Sequence, residues 1–242
     1  MAIPTDSVDR TPRDDGPVLG VDEAGRGPAI GPLVVAGVLI TPDAEARLTE
    51  LGVRDSKDLS SERRHAMVEG IREIALEARI IALAPVQLND NLNSVELGAI
   101  VRLVDELSPD TLYLDAPVGP RAIPAFAGML RRSCRSPELT LVAENKADAR
   151  YPAVAAASIL AKVYRDEAID RLHGVYGDFG SGYPADPKTQ RFLSDWFDAH
   201  RTFPACVRTR WGTVQRIIRD RSSERLIEAS PRTTGQPDSN ES

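Results

Sequence analysis

VLGVDEAGRGPAIGP, residues 18–32, is the stretch on which the rest of the chain turns. Val18-Leu19-Gly20-Val21 is the short apolar run of a buried strand, and it ends on adjacent carboxylates, Asp22 and Glu23. Acids at the end of a buried strand stand where the sheet stops shielding them, open to a cation. Neighbouring side chains on an extended segment point to opposite faces, so Asp22 and Glu23 share one site only if the backbone turns at once. Ala24 and Gly25 are small enough for that turn. Gly25 and Gly27 permit positive φ or a close backbone approach to a ligand, and Arg26 between them offers a planar fork for phosphate. A bare D-E-x-G is more often a plain turn, and without a following G-K-[ST] the glycines make no Walker loop.

The 242 residues suit one domain with room for a substantial core. No stretch approaches the roughly 18 apolar residues that span a bilayer, and residues 1–17 lack the hydrophobic core of a signal peptide. Cys134 and Cys206 have no metal-ligand spacing and are expected as reduced thiols. These features point to a cytoplasmic protein without membrane contact, expected as a monomer. A net charge of −6 runs mildly against nucleic-acid binding, because phosphate contacts need Lys and Arg. The arginines are nevertheless grouped: Arg201, Arg208, Arg210, Arg216, Arg219 and Arg221 in one segment, Arg121, Arg131, Arg132 and Arg135 in another. Either group is open to two readings, a phosphate surface or a solvated helix face.

Residues 1–16 and 222–242 are polar and rich in Ser, Thr, Pro and acids, and are expected to be a disordered leader and tail around a domain at 17–221. Within that domain, residues 32–40 read as a second buried strand and 44–51 as a short helix. Ser60 or Ser61 caps a helix to about residue 77. Strands follow at 79–83, 111–115 and 139–143, with helices at 95–107 and 124–132 between them. Pro152 fits the first turn of a long helix to about residue 173, and further helices cover 186–200 and 211–221. Neighbouring strands early, then strands alternating with helices, indicate an α/β layered domain with a mixed sheet flanked by helices. Asp115, at the end of TLYLD, repeats the pattern of Asp22, although such an acid is often only a turn or cap. Asp148 follows the LTLVA strand and precedes Pro152, where a capping acid is equally natural. His65, His173 and His200 sit in predicted helices with no ligand spacing.

Taken whole, Asp-Glu-Ala-Gly-Arg-Gly-Pro between two apolar strands resembles the opening signature of type 2 ribonucleases H, and Arg26 makes it similar to ribonuclease HII. Further strings agree over about residues 17–215: Tyr113-Leu114-Asp115-Ala116, Lys146-Ala147-Asp148, Val53-Arg54-Asp55-Ser56-Lys57, Ala156 to Lys162, and Gly180-Ser181-Gly182-Tyr183-Pro184. The resemblance implies a ribonuclease H-like sheet followed by a helical C-terminal portion. It implies that Asp22, Glu23, Asp115 and Asp148 bind metal, Mg²⁺ or Mn²⁺, two ions once substrate is bound. Hard cations of this kind take oxygen ligands from a few carboxylates together with phosphate.

Substrate contacts implied by the same resemblance are Gly25, Arg26, Gly27, Arg54, Lys57, Ser158, Lys162 and Tyr183. The implied partners are RNA–DNA hybrids and duplex DNA containing ribonucleotides, cut on the 5′ side to leave 3′-hydroxyl and 5′-phosphate ends. No aromatic residue follows Trp211, so the sliding-clamp-binding peptide of some relatives is not expected. Rival functions are a Mg²⁺-dependent phosphatase, disfavoured by the lack of a D-x-D strand end, and an inactive hybrid-binding module.

Overall fold

The computed structural model describes residues 7–8, 16–53, 60–89 and 91–229. Six strands form one sheet: β1 (Ser7–Val8), β2 (Val18–Ala24), β3 (Leu33–Ile40), β4 (Glu77–Leu83), β5 (Thr111–Asp115) and β6 (Thr140–Glu144). Their order is β1-β6-β5-β2-β3-β4. The β2, β3 and β4 strands pair antiparallel, whereas β5 and β6 run parallel to β2. That is the mixed sheet expected from early neighbouring strands followed by helical crossovers. The helices are α1 (Ala44–Leu51), α2 (Ser61–Ile74), α3 (Leu92–Leu107), α4 (Ile123–Ser133), α5 (Pro152–Tyr176), α6 (Pro187–His200) and α7 (Gly212–Ala229).

Alternation along the central strands builds two cores. Leu19, Val21, Leu33, Val35, Leu112 and Leu114 pack with α3 and α4 residues such as Leu103 and Phe126. Val18, Val34, Ala36 and Val38 face the other way, onto Leu48 of α1, Ile71 of α2 and the alanine-rich first turns of α5. Small residues there let the backbones meet: a Cβ on Gly20 would lie 2.2 Å from the Ala153 carbonyl carbon. A third cluster joins Ala29 and Ile30, just after β2, to Phe179, Leu193, Val207 and Val214 from the C-terminal region. The C-terminal helices are therefore fastened to the very loop that follows Asp22 and Glu23.

Several boundaries differ from those expected. Helix α2 ends at Ile74, and the strand expected from residue 79 begins at Glu77, because Glu77 pairs with Leu39. Helix α3 begins at Leu92, where the Asn91 side chain accepts from the Asn93 and Ser94 amides. The leader expected to be disordered contributes β1, which pairs with Val142 and Ala143. The tail expected from residue 222 is helical to Ala229: the Ser222 and Ser223 hydroxyls donate to the Ile218 and Arg219 carbonyls, continuing α7. Among the described residues no helix is long and apolar enough to cross a membrane.

Candidate active site

Parallel pairing sets Val21 opposite Leu114, so the next residues along, Asp22 and Asp115, end adjacent strands side by side. Both point to the α5 face, because Gly20 and Tyr113, two residues earlier on each strand, lie on that side. Asp148 arrives from the 3-10 turn Ala147–Ala149 between β6 and α5. Asp115 helps to hold that turn: its Oδ1 accepts from the Lys146 amide at 2.8 Å and the Ala147 amide at 3.4 Å. One carboxylate oxygen from each of Asp22, Asp115 and Asp148 lies within 4.8 Å of the other two.

Glu23 stands beside that trio. The pleat starts it toward the α3 face, yet its carboxyl group stays within hydrogen-bonding reach of Asp22. Its amide also donates to Asp22 Oδ1 at 2.7 Å. Burial, then the neighbouring Glu23 charge, pushes the Asp22 carboxyl well above the ordinary range; Asp115 adds to this, and a hydrogen bond with Ser158 opposes it. Burial is also the main reason Glu23 is raised to about 7, with Arg26 working against it and Asp115 with it. Acids crowded until they retain protons are what a hard divalent cation would relieve, so these residues fit Mg²⁺ or Mn²⁺.

Arg26 does not stand free. Its Nη1 pairs with Glu96, which is fully buried, and its Nη2 donates to Asn93 Oδ1 at 2.9 Å. Asn93 and Glu96 are three apart on α3 and so share a face. Burial lowers the Arg26 guanidinium and the Glu23 charge raises it, so the arginine sits between two acids of unlike duty. Glu96 lay hidden in the sequence as one polar residue of an amphipathic helix, with nothing to tie it to residue 26.

Behind the loop, Arg208 is fully buried and takes three carbonyls: Gly31 at 2.9 Å, Arg26 at 3.1 Å and Gly25 at 2.7 Å. Trp211 Nε1 donates to the Gly27 carbonyl at 3.1 Å, and the guanidinium lies 4.9 Å from the Trp211 ring centroid. Burial, then the charge of Arg165, lowers Arg208 to about 10. In the sequence Arg208 is one arginine among many. Two others of its group, Arg201 and Arg221, pair with Asp198 at 3.7 and 2.7 Å, as a solvated helix face would.

Tyr183 is 43% exposed and packs beside the loop: a Cβ on Gly27 would sit 3.3 Å from its Cε1. The Gly182 carbonyl accepts from the Ala29 amide at 2.8 Å, locking the two loops together. Arg165 donates to the Ser181 carbonyl at 3.1 Å and lies 5.3 Å from the Tyr183 ring centroid. Ser158 reaches Asp22, while Lys162, one turn along α5, pairs with Asp166 at 3.6 Å. Arg54 and Lys57 lie outside the described residues. The structure thus gathers Asp22, Glu23, Asp115, Asp148 and Ser158 at one point, with Gly25, Arg26, Gly27 and Tyr183 along its rim.

The family description Ribonuclease HII matches residues 19–214. Ribonuclease HII of Pyrococcus furiosus is 42% identical over 203 residues, which cover 82% of this chain and 89% of the relative. The crystal structure of ribonuclease H2 from Pyrococcus horikoshii OT3 is similar with a TM-score of 0.79 at 37% identity, covering 84% of this chain and 98% of that one. The enzyme in the PCNA:RNase HII complex from Archaeoglobus fulgidus is similar with a TM-score of 0.74 at 41% identity, covering 83% and 96%.

Proposed function

This chain belongs to the ribonuclease HII family and is a metal-dependent endoribonuclease, and we propose that it cuts RNA in RNA–DNA hybrids and on the 5′ side of single ribonucleotides embedded in duplex DNA. The observation that carries this is the trio of Asp22, Asp115 and Asp148, whose oxygens lie within 4.8 Å of one another beside a glycine-rich loop. Asp22, Asp115 and Asp148 would hold the cation, with Glu23 at their side. Bound there, two Mg²⁺ or Mn²⁺ ions would stabilise the attacking and leaving oxygens of an in-line displacement at phosphorus.

The chain's own residues then choose the phosphodiester. The 2′-hydroxyl is the mark that separates ribose from deoxyribose, and it both donates and accepts a hydrogen bond. The Gly25-Arg26-Gly27 backbone is bare enough to reach it, and the exposed Tyr183 ring beside Gly27 offers a surface for the adjoining sugar. A site built to pair with a hydroxyl rejects the analogue lacking one, because its own polar groups are left unpaired. Cytoplasmic action on replicated DNA belongs to the same proposal.

The test is a duplex with one ribonucleotide, incubated with protein and Mg²⁺ or Mn²⁺. Expected is a single cut 5′ of the ribonucleotide with a 3′-hydroxyl end, and loss of the rate by orders of magnitude in Asp115→Asn and Asp148→Asn. Binding without product, or full activity of either variant at limiting metal, would overturn the assignment.

A further inference from the structure

Resting on that reading of the glycine loop, we propose that Arg208 and Trp211 are positioning residues for 2′-hydroxyl recognition: they hold the loop's carbonyls inward so that its amides face the substrate. The bonds point one way. Arg208 takes the carbonyls of Gly25, Arg26 and Gly31 with its side chain, and its amide donates to the Ala29 carbonyl at 2.8 Å. Trp211 takes the Gly27 carbonyl. Among the described residues, neither the Arg26 nor the Gly27 amide donates a backbone hydrogen bond. A peptide plane whose oxygen is fixed on one side presents its N–H on the other, so Arg208, through the Gly25 and Arg26 carbonyls, sets the direction of the Arg26 and Gly27 amides. Trp211 fixes the next plane, whose nitrogen is that of Pro28 and carries no hydrogen, and so holds Gly27 itself in place.

The choice of residue supports this. A guanidinium has five donors in a rigid fork spread over three nitrogens, enough to span three separate carbonyls, whereas an ammonium crowds its three donors onto one nitrogen. No carboxylate pairs with the buried Arg208 among the described ion pairs; carbonyl dipoles and the Trp211 ring surround it instead. Arg165, the like charge that helps to lower Arg208, also lies by Gly25: a Cβ there would sit 3.5 Å from the Arg165 Cγ and Nε. The loop therefore has two cations behind it and a face turned toward an anionic backbone. A brace needed only for folding is cheaper with a neutral residue, since taking an unpaired charge out of water is costly.

The experiment compares wild type, Arg208→Lys and Trp211→Phe. Lysine keeps the charge and loses the fork; phenylalanine keeps the ring and loses the donor. For each, three quantities are measured: kcat/KM on a duplex with one ribonucleotide, Ki of the identical all-DNA duplex as competitor, and the Mn²⁺ concentration giving half-maximal rate. Expected in both variants is a fall in kcat/KM of tenfold or more, with Ki and the metal half-saturation within twofold of wild type. Should Arg208→Lys fail to fold, Trp211→Phe alone carries the same expectation. Unchanged kcat/KM in the folded variants, or equal losses in all three quantities, would overturn the positioning role. If wild type itself shows no preference for the ribonucleotide duplex, it is the proposed substrate that fails.

Discussion

Replacing Glu23 by Gln in the metal-free protein should make its stability less sensitive to pH, and the size of the effect follows from the crowding of the acids. In the folded chain Glu23 holds its proton up to about 7, against an ordinary value of 4.5. Below 4.5 the carboxyl is protonated whether the chain is folded or not, so it contributes no difference. Between the two values the unfolded chain has released the proton and the folded one still binds it, so folding stability falls as pH rises through this window. Above the folded value the loss is complete, with a ceiling on the order of 3 kcal/mol. For a chain of this length that is about 6–12 °C in Tm.

Glutamine carries no charge to confine. In chelator, Tm of Glu23→Gln should therefore stand close to wild type at pH 4.5 and well above it at pH 8. Adding Mn²⁺ at pH 8 should close the gap from the wild-type side, because the cation supplies the missing counter-charge. The readout is thermal unfolding at half-unit pH steps with and without metal. A wild-type-to-variant gap that stays flat from pH 4.5 to 8 would refute the picture of a buried, protonated cluster.

Two further outcomes test the scaffold. Glu96→Gln removes the buried counter-charge of Arg26 and should cost about 3 kcal/mol in urea unfolding; a loss below about 1 kcal/mol would mean that Asn93 and Glu23 hold the arginine unaided. Gly20→Ala would drive a methyl to within 2.2 Å of the α5 backbone, forcing the helix off the strand; a loss of at least about 3 kcal/mol is expected by the same measurement, and near-neutral stability would show that α5 can slide.

What could be read in the sequence divides along physical lines. Asp22 and Asp115 were legible because an acid ending an apolar strand is a local pattern. Their adjacency was not, since it depends on β5 choosing β2 as its parallel neighbour, a pairing fixed by packing across the sheet. The placing of Glu23 was half legible: the pleat forecasts that its side chain starts toward the other face, whereas its hydrogen bond back to Asp22 and the nearness of Arg26, itself paired with Glu96 of α3, arise only in the folded loop. Arg208 was hidden in plain composition. Its side chain looks no different in sequence from that of Arg221, yet one is fully buried against carbonyls and the other pairs with Asp198. The extent of α7 was missed because serine-rich sequence reads as unstructured, while here the serine hydroxyls bond back into the helix.

The bond from Arg208 to the Gly31 carbonyl joins residues 177 positions apart. A ribosome extends the chain from its N-terminus at a finite rate, and domains assemble from what has already emerged. All four acids lie upstream of α5, and the two residues that brace the loop are among the last to be made before α7. Contacts between residues so far apart also cost closure entropy before they return anything. On the proposed reading, the acids that would hold the cation are thus made early in synthesis and the residues that would set discrimination late, so the nascent chain completes its substrate filter only as α7 is being made.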